Sequence, residues 1–173
     1  MESRFKILGH PVHPMLIVLP LGLLSVGVLF DAVYIATSDP VFAEVAYWNI
    51  AAGVIGGLAA AVFGLVDWLA IPQGTRAKRI GLLHGVGNGV VLALFVVSWF
   101  LRGPERAYAP DLVPFLLGLA GVGLAVVTAW LGGELVYRLR VGVDEDAGLD
   151  ASNSLVRDGP VSTGDRDGAT GTS

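Results

Sequence analysis

Four uninterrupted apolar runs, residues 15–36, 47–71, 80–101 and 112–137, fill more than half of this 173-residue chain and are 22, 25, 22 and 26 residues long. A helix rising 1.5 Å per residue needs about 20 residues to cross the hydrocarbon of a bilayer, so each run is long enough to span one, the longer two with tilt or overhang. The runs are continuously apolar rather than alternating. That selects helices over barrel strands, because a helix satisfies its own backbone groups in lipid. The expected fold is therefore all-α, an integral-membrane four-helix bundle.

Composition agrees with this reading. The chain is 54% hydrophobic and only 15% charged, with a mean hydropathy of +0.69, whereas a soluble domain carries about 25% charged residues. It has no cysteine, which excludes disulfides, thiolate metal sites and cysteine nucleophiles within these residues. The net charge of −4 hides a split: the last 33 residues hold seven acids and two arginines, −5, and the rest of the chain is +1. Residues 141–173, rich in Asp, Gly, Ser and Thr, are expected to form a disordered acidic tail after a membrane domain of residues 1–140. No basic surface for nucleic acid is expected.

The first run follows Arg4 and Lys6, but it is longer than a signal-peptide core and lacks a small-x-small cleavage site, so a retained helix is expected. Arg4, Lys6, Arg76, Lys78, Arg79, Arg138 and Arg140 fall on one side of the four spans, against Arg102 and Arg106 on the other. The positive-inside rule then places both termini in the cytoplasm of a cell-membrane protein. Tyr34, Tyr47, Trp48, Trp99 and Tyr108 fall near the opposite interface, where amphipathic rings prefer to lie.

Small residues supply the close approach that helices need in lipid: Gly53, Gly57, Ala60, Ala61 and Gly64 on the second span, Gly81, Gly85 and Gly89 on the third, and Gly118, Gly121, Gly123, Gly132 and Gly133 on the fourth. Pro20 is expected to bend the first span. Pro14 is expected as its first helical position, with His13 as the cap.

Ionisable groups in the spans are few: Asp31, Asp67, His84 and Glu134, with His10 and His13 just before the first span. Intramembrane ionisable residues carry a functional hypothesis by default. All except Asp31 lie within about two turns of the inner face, each on or beside a helix end. Asn88, four residues after His84, shares its face, expected to be that of Gly81 and Gly85. His10 and His13 each precede a proline, and a three-residue polyproline repeat would put both imidazoles on one side. The chain also echoes itself. Each half starts a helix near a histidine (His13, His84) and ends the next with an acid beside a Trp-Leu pair (Asp67, Glu134). A duplicated hairpin with a pseudo-twofold along the membrane normal would converge these four groups.

The segments Gly9-His10-Pro11-Val12-His13-Pro14, Gly64-Leu65-Val66-Asp67-Trp68 and His84-Gly85-x-x-Asn88 resemble the predicted membrane proteins grouped as domain of unknown function 2231, over about residues 7–141. The resemblance carries no settled activity. Relatives joined to Rieske-type iron–sulfur domains imply an electron-transfer setting, although without cysteine these residues hold no such cluster.

Three uses of the inner-face cluster follow. As interhelical polar contacts, each bond contributes about 1 kcal/mol in lipid. As a haem b site, His84 is one expected axial ligand and His13 or His10 the other, with Asn88 nearby and Arg76 and Arg79 on the propionates. As a divalent-metal site or transport pathway, the donor set is His10, His13, Asp67, His84 and Glu134. The helices between the borders are too apolar for a polar transport route, and Ser25 and Ser98 have no base beside them, so hydrolase chemistry is not expected. The expected role is accessory electron transfer by a haem b protein rather than an enzyme, with a membrane redox protein and a second copy of the chain as the partners considered.

Overall fold

A computed structural model of the chain describes residues 1–155. It is mostly helical: a two-stranded hairpin, β1 (Lys6–Ile7) and β2 (His10–Pro11), leads into α1 (Val12–Leu16), α2 (Val18–Thr37), α3 (Pro40–Ala70), α4 (Arg76–Phe100) and α5 (Leu112–Gly133). Four candidate spans result, Val12–Thr37, Pro40–Ala70, Arg76–Phe100 and Leu112–Arg138, each long and apolar enough to cross a bilayer. Their outward surfaces carry exposed Leu29, Leu58, Val62, Leu83, Val126 and Trp130, the apolar shell that a lipid environment accommodates.

The second and third spans start earlier than their apolar runs because their caps lie in polar sequence. Asp39 accepts a bond from the Val41 amide ahead of Pro40, so the second helix begins seven residues before residue 47. Thr75 likewise accepts from the Lys78 amide at 3.1 Å and starts α4 at Arg76. Both are polar N-caps, the first with proline as the opening helical residue.

The opening of the first span also differs from expectation. His10 and Pro11 pair antiparallel with Ile7 and Lys6 across a turn in which Leu8 and Gly9 both have positive φ, 51° and 84°. Two positive φ values match the twist of a tight hairpin. The cap is then Pro11, and His13 lies inside the first helical turn rather than before it. The helix breaks at Ile17, between α1 and α2, because Pro20 has no N–H to return to the preceding turn.

In cyclic order α2 packs on α3, α3 on α4, α4 on α5 and α5 back on α2, with α2–α3 and α4–α5 as the two principal hairpins. The buried centre is Leu24, Val28, Ile50, Val91 and Phe95. Glycines let it close: a Cβ on Gly53 would stand 2.7 Å from Leu24, and one on Gly121 2.7 Å from Phe95. The Gly85/Gly89 stripe is not used this way. Both positions face open space, and α4 meets α5 through His84, Gly87 and Phe95 instead.

Both ends of the described chain meet at one end of the bundle. The Met1 ammonium donates to the Arg140 carbonyl at 3.3 Å, and the Gly142 amide donates to Met1 O at 2.8 Å. Lys6 bridges Glu2 and Asp144. The segment 141–155, expected as the start of a disordered tail, is thus held against the N-terminus over its first residues. The rest of the expected tail, 156–173, lies outside the described residues.

Candidate functional site

Two imidazoles meet at this terminal end. The rings of His13 and His84 are 6.4 Å apart between centroids and stand at 85° to one another. Each is fixed the same way: His13 Nδ1 lies 2.8 Å from the Ala60 carbonyl and His84 Nδ1 lies 2.9 Å from the Thr128 carbonyl. A carbonyl only accepts, so both Nδ1 atoms carry the proton, and in each neutral ring Nε2 is left with a lone pair.

A glycine makes each bond reachable. In a helix a side chain covers the turn before its own Cα, so the residue four positions on screens a carbonyl. Here those residues are Gly64 and Gly132. A Cβ on Gly64 would stand 2.8 Å from His13 Cε1, and one on Gly132 3.1 Å from His84 Cε1. Around His84 the site is polar: Asn88 Nδ2 lies 3.2 Å from Nε2 and 2.9 Å from the His84 carbonyl, so its two protons serve both. Asn88 Oδ1 is 3.0 Å from the Thr128 hydroxyl.

The other expected members are placed elsewhere. His10 is exposed, with Nε2 3.4 Å from Ser154 Oγ. The β-hairpin, in place of a polyproline repeat, turns it away from His13. Asp67 accepts from Ser3 Oγ at 2.8 and 2.9 Å and from the Arg4 amide at 2.8 Å, fastening the N-terminal segment. Glu134 is ion-paired with Arg76 at 2.6 Å, and Arg79 is exposed. Among the described residues no three His, Asp or Glu side chains converge, and the members of the expected set that face one another are His13 and His84.

The internal echo is structural, but in a different register. His84 follows His13 by 71 positions, and Phe95 follows Leu24 by the same interval. On the returning helices the interval is 68: Gly53 and Gly121, Ala60 and Thr128, Gly64 and Gly132. Each equivalent pair makes the equivalent contact. This register matches Asp67 with Leu135, not with Glu134, which explains why the two acids have unlike partners.

The same interval of 71 joins Asp31 to Arg102, and these two residues touch. Arg102 Nη1 donates to Asp31 Oδ1 at 2.7 Å with both side chains fully enclosed. Its Nη2 donates to Ser98 Oγ at 2.8 Å, and Ser98 in turn donates to the Pro114 carbonyl at 2.8 Å. Arg102 reads from sequence as a loop charge beyond the third span. Only the repeat interval identifies it as the partner of Asp31. Equivalent residues that meet lie on the symmetry axis, so the axis passes between His13 and His84 at the terminal end and between Asp31 and Arg102 at the other.

A family model described as predicted membrane protein (DUF2231) matches residues 9–145. No curated protein and no solved structure matches the chain.

Proposed function

The chain belongs to the DUF2231 family of predicted membrane proteins, and we propose that in it His13 and His84 are the axial ligands of a haem b with an accessory electron-transfer role. The observation that carries this is the ring geometry. To hold a haem between them, two imidazoles would have to face one another from different helices. His13 and His84 stand at 6.4 Å. An Nδ1–H bonded to a backbone carbonyl is the outer-shell arrangement that orients a metal-bound imidazole and leaves Nε2 as the donor. The donor count also suits a macrocycle, which supplies four nitrogens, better than a structural zinc site, which takes four ligands from protein.

When bound, a haem supplies one-electron chemistry whose potential is tuned by axial ligation and burial. The protein's own groups hold the imidazoles: the Ala60 and Thr128 carbonyls fix the tautomers, Gly64 and Gly132 leave room for the rings, and Asn88 retains its bond to the His84 carbonyl when Nε2 is engaged. Arg79, exposed near this end, would hold a propionate, whereas Arg76 is ion-paired with Glu134. The basic residues at the terminal end support a cell-membrane protein with cytoplasmic termini, and the proposed partner for its electron is a membrane redox protein.

The test is the absorption spectrum of detergent-purified protein produced with adequate haem supply, oxidised in air and reduced with dithionite. A Soret band with sharp reduced α and β bands, lost in both His13→Ala and His84→Ala, is expected. A featureless spectrum from folded protein overturns the reading and leaves the two Nδ1 bonds as links between helices, the second reading that their interhelical geometry favours.

A further inference from the structure

Within the two hairpins of the bundle, equivalent residues make equivalent contacts at the inner end and at the centre, and the far end differs. The inner ends carry the same pair, His13 with Gly64 and His84 with Gly132. The centre carries the same motif, a large apolar residue on glycine, Leu24 on Gly53 and Phe95 on Gly121. At the far end the equivalent positions are opposite: Asp31 in the first half and Arg102 in the second, both fully enclosed and bonded across the axis.

This matters because a twofold interface between similar hairpins is self-complementary. The histidine layer and the central apolar layer carry equivalent residues in both hairpins, so a first hairpin presents there much of what its own second hairpin presents to it. Pairing of the first hairpins of two copies would place two Asp31 carboxylates on its axis, and its counterpart two Arg102 guanidinium groups, in an interior that water does not reach. Like charges buried together are strongly unfavourable, and repulsion built against the wrong partner is how similar surfaces acquire specificity. We infer that the Asp31–Arg102 pair biases each half towards the other and against homotypic pairing of its hairpins with a second copy. The inference stands apart from the haem reading, since it needs no ligand at the histidines.

These 173 residues hold no cysteine, which gives a clean test in this chain. Equivalent axial residues of two first hairpins would touch, so a cysteine at position 31 reports homotypic pairing as an interchain disulfide on a non-reducing gel. The Asp31→Cys, Arg102→Leu chain removes both charges and is expected to crosslink on mild oxidation. Asp31→Cys alone keeps Arg102, whose repulsion still opposes homotypic pairing, and is expected to crosslink about tenfold less. Equal crosslinking of the two chains, or none in either when circular dichroism shows both folded, overturns the inference. If the doubly substituted chain does not fold, the reversed pair decides. Asp31→Arg with Arg102→Asp keeps the opposite charges and must fold with the wild-type association state, whereas Asp31→Arg alone must not. A reversed chain that fails like the single substitution overturns the inference.

Discussion

Asp31 and Arg102 occupy the same position in the two halves of the bundle and form its buried ion pair, 2.7 Å from oxygen to nitrogen with neither side chain exposed. Removing one partner leaves the other charged group enclosed with nothing to compensate it, which costs about 3–5 kcal/mol, whereas replacing both with apolar residues of similar size is often near neutral. Arg102→Leu and Asp31→Leu are therefore each expected to destabilise the bundle by that amount in a detergent-unfolding titration, and the double substitution by far less than the sum. Additive losses would show that the two residues are not energetically coupled.

The glycines divide into two groups that substitution separates. A Cβ on Gly64 would stand 2.8 Å from His13 Cε1, while one on Gly85 meets nothing within 4 Å. Gly64→Ala is expected to push the His13 ring off the Ala60 carbonyl, losing a bond of about 1 kcal/mol in lipid and lowering haem occupancy. Gly85→Ala is expected to leave the spectrum unchanged and to stabilise the helix slightly, since glycine is about 1 kcal/mol less favourable than alanine in a helix interior. Equal haem content in the two variants would contradict the role given to Gly64.

How much of this was legible in the sequence depends on the kind of signal. The four spans were, because the length of an apolar run is a direct measure of what can cross a bilayer. Their true starts at Pro40 and Arg76 were not visible in hydropathy, since Asp39 and Thr75 cap them from polar stretches. Depth along the membrane placed His13 and His84 at one end, but depth says nothing about azimuth. Asp67 and Glu134 share that depth and are drawn aside by Ser3 and Arg76. The repeat was legible as an echo of histidines and acids, yet its register rests on glycines and on an Asp–Arg pair whose members share no chemistry.

The terminal clamp has its own pH dependence. Hydrogen bonds from Lys6 to Asp144 first, and to Glu2 second, raise its pKa above the usual lysine value of 10.5. A cation whose pKa is higher folded than unfolded contributes fully below the unfolded value and loses that contribution as pH rises through the folded one. Contact between the N-terminus and residues near Asp144 is thus expected to persist through neutral and mildly alkaline pH and to loosen only in strong alkali. Hydrogen exchange at the Gly142 amide, bonded to Met1 O, reports it. Lys6→Gln should raise the protection-corrected exchange there at pH 7, and unchanged exchange would remove Lys6 from the clamp.

Asn88 distinguishes a ligand pair from a packing contact by the direction of its effect. Its amide lies 3.2 Å from His84 Nε2, the atom a metal would need, so ligation at His84 requires that hydrogen bond to be given up. An intramolecular bond of this kind contributes about 1 kcal/mol net, roughly fivefold in an equilibrium constant. Asn88→Ala removes the competitor without touching Nδ1 or the Thr128 carbonyl. It is expected to tighten haem binding by the purified apoprotein severalfold, even as loss of the Thr128 contact lowers the stability of the apo bundle. Were His84 only an interhelical contact, the same substitution would lower stability and leave haem titration without a saturable phase, as in wild type. The sign of the change in affinity therefore reports whether the lone pair on His84 Nε2 is held in reserve for a ligand.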